Sequence, residues 1–593
     1  MENNDFFTSA RNNPEFSQGI YMKASDAVAR YLATHDITYC FELIGGMITH
    51  LLDSLAKDGR IQIISMHHEQ AAAFAAEGVV RKNRSDKLSL AMGTSGPGAS
   101  NLITGIGDCW FDSIPCLFIT GQVNTGELKG NIAIRQQGFQ ELDIVTMVRP
   151  ITKYAAQVLT SDEILPQLHQ AMSVALSGRK GPVLIDIPNN VQRQDIPDNV
   201  VEKWLQTPFN VNLERTPVMM QDQQKLLEDL CKKSCRPLFC IGGGARWSDS
   251  LEQFLQKLDQ YGIPYVSTLM GQERIVSNPH YFHMIGAYGN REANYAVENC
   301  DLLIVLGSRL DIRQTGADVE DFARKAKIVQ IDIDSAQLNN RVKADLAICT
   351  DIHDFMESYS LDAMTFPLQE TEWVLELQLF QNRVNTDEYP DWEISPFRLF
   401  SCLNEVMHGE AVHYVCDVGN HQMWAAQGLR LEAEQTVHYS GGMGAMGFAV
   451  PAAIGVALGA LHKTVVITGD GSMQVNIQEL DTVVRLGLDI SIIVLNNVSL
   501  GMVKNFQDIY FDGRDQSTRE GYSCPSFSKV AIAYGIPALV VSTHEEFKFA
   551  LEQLKKQKGP FLIEVLMDYA TECRPRLAFG CKLDDQYPKL DLF

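Results

Sequence analysis

An α/β fold of three doubly wound parallel-sheet domains is what this sequence predicts, and three observations predict it. From about Tyr21 to Ile196, short apolar runs (Ile61–Ser65, Leu88–Met92, Cys116–Thr120, Val183–Ile187) alternate with helical patterns. A parallel sheet with helices on both faces reads this way. The alternation resumes from about Pro217 after the polar stretch VEKWLQTPFNVN, and again near Pro396 after TFPLQETEW and a helix ending in NTDEYPDWEISP. The 593 residues are too many for a single core. The expected division is an N-terminal extension over 1–20, domains over 21–196, 216–365 and 396–570, and a tail over 571–593.

Composition narrows the class. Hydrophobic content of 45% and charged content of 21% are those of a soluble globular protein. The net charge of −23 disfavours nucleic acid and anionic membranes as partners. Any anionic cofactor must then be held by local devices. The 13 cysteines are scattered with no Cys-x-x-Cys pair, so zinc sites and disulfide scaffolds are not expected and the thiols read as reduced. The first twenty residues lack a basic segment followed by an apolar one, and Ala445–Leu461, the most apolar stretch, is broken by Gly447, Pro451, Gly455 and Gly459. A cytoplasmic location without membrane spans is the expectation.

In the first domain, Ile61–Ser65 runs into MHHEQAAAFAAEGVVR. Glu69 stands where strand passes to helix, and the alanines behind it permit very close helix packing. By itself Glu69 is an N-terminal helix carboxylate favoured by the macrodipole. GTSGPGASN, Gly93 to Asn101, is a Gly-rich strand-to-helix turn whose backbone can approach a ligand.

The middle domain has the marks of a dinucleotide site. Gly242-Gly243-Gly244 follows one apolar strand, STLMGQ (Ser267–Gln272) a second, DLLIVLGSRLDIRQTG (Asp301–Gly316) a third and IVQIDIDSA (Ile328–Ala336) a fourth. Glycines at strand ends admit a pyrophosphate, Arg309 and Arg313 can neutralise it, and Asp332 or Asp334 suits a ribose or adenine contact.

The third domain holds Lys463–Asn497, a single βαβ unit. Thr464–Thr468 ends in Gly469-Asp470-Gly471-Ser472, and Ile490–Leu495 ends in Asn496-Asn497. A right-handed crossover opens both strand ends onto one edge of the sheet, bringing Asp470 and Asn497 near each other. A carboxylate and an amide carbonyl are hard oxygen ligands suited to Mg²⁺ held partly by a diphosphate, and the small residues leave backbone N–H groups for phosphate oxygens. No Gly-Lys-Ser/Thr follows, which disfavours a P-loop.

Together with ITGQV (Ile119–Val123), GFQELDIV (Gly138–Val145), GPVLIDIP (Gly181–Pro188), VCDVGNHQMWAAQ (Val415–Gln427) and YSGGMGAMGFAVPAAIG (Tyr439–Gly455), these motifs resemble in content and order the thiamine diphosphate-dependent acetohydroxyacid (acetolactate) synthase catalytic-subunit family. The resemblance implies a pyrimidine-binding first domain, an FAD-type centre and a diphosphate-binding third domain, with thiamine diphosphate, Mg²⁺ and FAD as cofactors. It gives Glu69 the hydrogen bond to the cofactor's aminopyrimidine, and places Phe139 and Gln140 along the substrate channel. Gly444 would offer a backbone carbonyl to the cofactor's amino group, and Met446 would lie beneath its bend. Asn420 and His421 would cover the diphosphate with Gly469, Gly471 and Ser472, and Gly501-Met502 follows the metal motif. Metal ligands would be Asp470, Asn497 and Ser499. FAD contacts would come from Gly242, Gly243, Thr268, Leu269, Met270 and Gly286. Gly307, Arg309, Asp311, Arg313, Asp332, Ile333 and Asp351 would complete them. The family's activity is decarboxylation of pyruvate and transfer of the two-carbon unit to a carbonyl acceptor, in a homodimer or homotetramer with sites at the subunit interface.

Departures from the family pattern gather where the acceptor is expected. Gly46 lies in Ile44-Gly45-Gly46 where the family has Pro-Gly-Gly, and Gly286-Ala287-Tyr288-Gly289 replaces Gly-Met-His-Gly. Arg313 lacks a neighbouring aspartate at Ile312, Phe506 stands in place of a tryptophan, and the loop from Val123 to Phe139 is long. The acceptor pocket is accordingly expected from Gly46, Phe139, Ala287, Tyr288, Arg313 and Phe506. Two alternatives stay open: the same donor chemistry with a nucleotide-activated keto sugar as acceptor, and a flavin-dependent pyruvate oxidase.

Overall fold

The computed structural model describes residues 21–83, 87–210, 218–358, 366, 372–390, 394–569 and 571–590. The expected N-terminal extension, most of TFPLQETEW and parts of the other two connecting stretches lie outside these residues.

Three six-stranded sheets, all parallel, form the protein. In the first, strands β1 (Tyr39–Leu43), β2 (Gln62–Ser65), β3 (Ser89–Gly93), β4 (Cys116–Gln122), β5 (Tyr154–Gln157) and β6 (Val183–Pro188) lie in the order β2-β1-β3-β4-β6-β5. Every residue of β3, β4 and β6 is buried, as strands covered on both faces must be. The middle sheet comprises β7 (Pro237–Ile241), β8 (Tyr265–Ser267), β9 (Tyr281–Met284), β10 (Leu302–Leu306), β11 (Lys327–Asp332) and β12 (Leu346–Cys349), ordered β9-β8-β7-β10-β11-β12. In the third, β13 (Val412–Cys416), β14 (Gln435–Tyr439), β15 (Lys463–Gly469), β16 (Ile490–Asn496), β17 (Ala538–Val541) and β18 (Phe561–Leu566) repeat the order of the first, β14-β13-β15-β16-β18-β17. The first and third domains thus share one topology, and the middle one has the order that binds dinucleotides at its switch point.

Four helices position the site: α1 (Glu69–Asn83), α2 (Asn420–Gly428), α3 (Ala449–Ala457) and α4 (Gly501–Tyr510). The alanines and glycines of α1 and α3 let the two backbones touch. A Cβ on Gly78 would sit 2.1 Å from the Ala452 carbonyl oxygen, and one on Gly455 would sit 1.9 Å from that of Ala75. Phe74 meets Phe448 edge-on at 5.6 Å beside this contact. One hydrophobic core therefore runs through the first and third domains.

All three domains meet at Arg81, buried near the end of α1. Its guanidinium reaches Glu77 at 2.6 Å, Asp112 at 2.5 Å and Glu273 of the middle domain at 3.3 Å. Asp112 also accepts the backbone N–H groups of Gly441 and Gly442 in the third domain at 3.1 and 2.7 Å.

Candidate active site

The turn after β15 lies at the switch point of the third sheet, where strand order reverses between β13 and β15. Asp470 opens a short helix there, so the first N–H groups of that helix have no intrahelical acceptor. Its carboxylate is 2% exposed and accepts the Ser499 N–H at 3.0 Å through Oδ2. Burial pushes this carboxyl up to about 6. Asn497, at the end of β16, donates its amide to the Thr571 carbonyl at 3.3 Å, which leaves its own amide oxygen for a cation.

Around this turn stand buried polar atoms with no protein partner. Asn420 donates to the same Thr571 carbonyl at 2.9 Å, while its Oδ1 is unpaired. His421 Nε2 is unpaired too, and burial holds that ring neutral, its value lowered to about 3. Both residues are only 5% exposed, so such atoms call for a ligand. Gly469 is required here: a Cβ would lie 2.7 Å from His421 Nδ1. On Gly471 a Cβ would meet Leu500 at 2.3 Å, with Met446 Cε at 3.3 Å. Gly501 backs onto the amides of Asn420 and Asn497 in the same way, and Gly444 adopts φ +68 beside Val418. Ser472 donates its hydroxyl to the Val418 carbonyl at 2.7 Å, and Met502 packs on the third domain's core. The predicted residues of this group therefore converge, and their donor set fits a magnesium diphosphate.

Glu69 is 5% exposed at the start of α1, its Oε2 accepting from Asn101 Nδ2 at 2.9 Å. A Cβ on Gly98 would sit 3.3 Å from Oε1, so the Gly93–Asn101 turn wraps the carboxylate. Gln140 meets the same turn at Gly96 and holds φ +63, a left-handed conformation uncommon outside glycine. The neighbouring His67 ties the helix start to the third domain, its N–H donating to Glu479 at 2.9 Å and its ring meeting Asp481 at 2.8 Å.

A cavity of about 750 Å³ opens between the middle domain and the other two. Of the residues singled out as FAD contacts, Gly243, Thr268, Leu269, Met270, Gly307, Arg309, Asp311, Arg313, Asp332, Ile333 and Asp351 line it. Gly242 and Gly286 do not line it. Gly242 instead lets β7 approach the Gly307 turn, where a Cβ would lie 2.3 Å from the Gly307 carbonyl oxygen, and Gly286 at φ +111 fixes a tight turn. Asp334, the other candidate ribose contact, is paired with Arg179 at 3.0 Å. Asp332 is half-buried at the end of β11, its carboxyl pushed up to about 6 by desolvation. Arg246, which also lines the cavity, has a buried Nε without an acceptor. Five basic residues, Arg179, Lys180, Arg246, Arg309 and Arg313, and the dinucleotide strand order fit FAD. Phe111, Arg179, Lys180, Trp247 and Gly442 line it as well. Sequence reasoning missed all five.

The six acceptor-pocket candidates fall in three places. Gly46 follows β1 between Gly45 and Met47, both of which meet Thr94, and faces open space, while Phe139 is 80% exposed on the loop carrying Gln140. Tyr288 and Arg313 line the large cavity, Ala287 donates to the Arg313 carbonyl at 2.7 Å, and the C-terminal tail reaches Ala287 through Leu577 N–H at 2.7 Å. Phe506 on α4 is 54% exposed and packs against Tyr510, whose hydroxyl accepts the Phe579 N–H of the tail at 3.1 Å.

Comparison with known proteins agrees with this geometry. The profile described as the N-terminal TPP binding domain of thiamine pyrophosphate enzymes matches residues 22–147, the central domain 225–359 and the C-terminal TPP binding domain 417–565. The chain is 34% identical to the probable acetolactate synthase large subunit of Methanocaldococcus jannaschii, covering 95% of this chain and 94% of that one. It is 32% identical to the acetolactate synthase isozyme 2 large subunit of Escherichia coli, over 96% and 100%. With the chloroplastic acetolactate synthase 2 of Nicotiana tabacum it shares 34% identity over 95% and 85%. The fold and its paired cofactor turns are those of a thiamine diphosphate enzyme. Within that class, the chain belongs to the acetolactate synthase family.

Proposed function

We propose that the protein decarboxylates pyruvate and joins the two-carbon unit to a carbonyl acceptor, as an acetolactate synthase does. The observation that carries this reading is the convergence of Asp470, Asn497 and Ser499 with the unpaired Asn420 Oδ1 and His421 Nε2 at one sheet edge. Bound there, thiamine diphosphate supplies an electron sink for loss of CO₂. Asp470, the Asn497 amide oxygen and the Ser499 main chain hold Mg²⁺. Glu69, oriented by Asn101, holds the proton exchanged with the aminopyrimidine. Met446 supports the cofactor from below, and Gly444 offers its carbonyl.

FAD, on this reading, occupies the large cavity, where Arg309 and Arg313 offset its charge and Arg246, which also pairs with Glu273, has a free Nε. Two copies of the chain assemble so that Glu69 of one faces the Asp470 turn of the other. The exposed Val503, Phe506 and Ile509 on α4 supply apolar surface that a partner can cover. Thirteen free cysteines suit a reducing cytoplasm. No helix among the described residues is long and apolar enough to cross a membrane.

Ala287 and Phe506, shorter than the methionine and tryptophan of the family pattern, would leave more room for the acceptor. Release of ¹⁴CO₂ from [1-¹⁴C]pyruvate, tested with and without added thiamine diphosphate and Mg²⁺, examines the function. Strict dependence on both supports the reading, and cofactor-independent release or none at all refutes it.

A further inference from the structure

A tyrosine with no mark in the sequence stands over the metal turn. The chain that follows α4 folds back and is clamped there: Ser499 Oγ and the Leu500 N–H both donate to the Thr518 carbonyl at 3.0 Å. Thr518 is 2% exposed, so this return is fixed against the two strand ends that carry Asp470 and Asn497. Four residues later the Tyr522 side chain reaches back over Gly471. Its hydroxyl lies 3.4 Å from where a Cβ on Gly471 would be, in the same small space as Met446 Cε at 3.3 Å.

That hydroxyl is buried within reach of the Asp470 carboxylate and Gln474, but with neither does it make a hydrogen bond of good geometry. A phenol is a neutral donor at pH 7, and a buried donor is ordinarily paired. The other unpaired atoms at this edge, Asn420 Oδ1 and His421 Nε2, belong to side chains 5% exposed. Three unsatisfied groups around one glycine turn point to a single missing polyanion with its cation.

Resting on the reading of this turn as a metal–diphosphate site, we propose that Tyr522 is a diphosphate-binding residue, its hydroxyl donating to a diphosphate oxygen above Gly471. The competing role is packing alone, with the ring covering Leu500 and Met446. Tyr522→Phe separates the two because it keeps the ring and removes only the donor.

Cofactor-free wild type and Tyr522→Phe are titrated with thiamine diphosphate in saturating Mg²⁺ by calorimetry, and the thermal midpoint of each is measured without cofactor. One lost hydrogen bond to a charged oxygen weakens binding roughly 10- to 100-fold, while the cofactor-free midpoint stays level or rises. Equal affinity in the two chains overturns the assignment and leaves the metal–diphosphate site standing. A fall in the cofactor-free midpoint with affinity unchanged also overturns it, since the hydroxyl then serves the fold. Wild type that takes up no thiamine diphosphate overturns the site itself.

Discussion

The Ser499 N–H donates to Asp470 Oδ2 over 3.0 Å, so the turn after β16 is tied to the turn after β15 through the very carboxylate that is placed to hold the cation. Burial raises that carboxyl from 3.8 to about 6. Between about pH 4 and 6 the folded protein keeps a proton there that the unfolded chain has released, so this group makes stability fall as pH rises through that window. Without cofactor, Asp470→Asn is therefore about 3 kcal/mol more stable than wild type at pH 8, and the gain vanishes below about pH 4. Thermal midpoints at the two pH values measure it. In the same variant, binding of thiamine diphosphate with Mg²⁺ is lost. A stability gain independent of pH would mean the carboxyl is not strained by its burial.

Glu69 carries the proton chemistry on this account, held by Asn101 at 2.9 Å. Glu69→Gln slows exchange of the bound cofactor's C2 proton by about 10²- to 10⁴-fold, followed by quenched-flow deuterium exchange and NMR. Asn101→Ala slows it less, since it disturbs the orientation of the carboxylate and leaves the carboxylate present. Exchange unchanged in Glu69→Gln would remove Glu69 from the site.

Close approach of α1 and α3 joins the first and third domains. Gly455→Val drives a side chain into the Ala75 carbonyl, 1.9 Å from the Cβ position. The cost is about 3 kcal/mol, and it shows as a lowered thermal midpoint.

Arg81 supplies the positive charge for three buried carboxylates drawn from two domains. The Glu77, Asp108 and Asp112 oxygens lie close enough together to hold a metal ion, yet the guanidinium already provides that charge. Arg81→Met leaves Glu77 and Asp112 uncompensated, while Glu273 keeps Arg246 at 3.3 Å, and costs about 3–5 kcal/mol. Adding Glu77→Gln and Asp112→Asn to it restores part of the loss. A simple additive loss in the triple variant would contradict the charge argument.

Much of this was legible in the sequence because each domain announces its strand ends locally. Gly469-Asp470-Gly471 and Asn496-Asn497 sit within one βαβ unit, so handedness alone brought them together. The dinucleotide glycines followed the same logic. Gly242 and Gly286 show its limit: both are glycines at strand ends, but they serve close backbone approach and a turn, with no place in the cavity wall. What could not be read comes from the packing of one domain on another. Arg179 and Lys180 reach the cavity from the first domain. The Thr571 carbonyl, which accepts both Asn420 and Asn497, belongs to the start of the tail. Val498 adopts φ +51 between Asn497 and Ser499, a strained conformation for a β-branched residue that no local pattern signals.

Phe506 is where the acceptor is expected to be chosen, half exposed and packed at a tilt against Tyr510 at 4.5 Å between ring centres. Phe506→Trp narrows the range of ketone acceptors while leaving CO₂ release from pyruvate within a few-fold. Competition between pyruvate and larger ketones, read by product analysis, gives the ratio. An identical acceptor profile would mean that Phe506 does not line the channel.

The central claim is that this chain forms carbon–carbon bonds from pyruvate. Purified protein loaded with thiamine diphosphate, Mg²⁺ and FAD, and given pyruvate with and without a second ketone, is assayed for ligated product against oxygen uptake. The account predicts an acetolactate-type product accumulating with CO₂ release and no matching oxygen consumption. Pyruvate loss matched by oxygen consumption, with no ligated product, would contradict it.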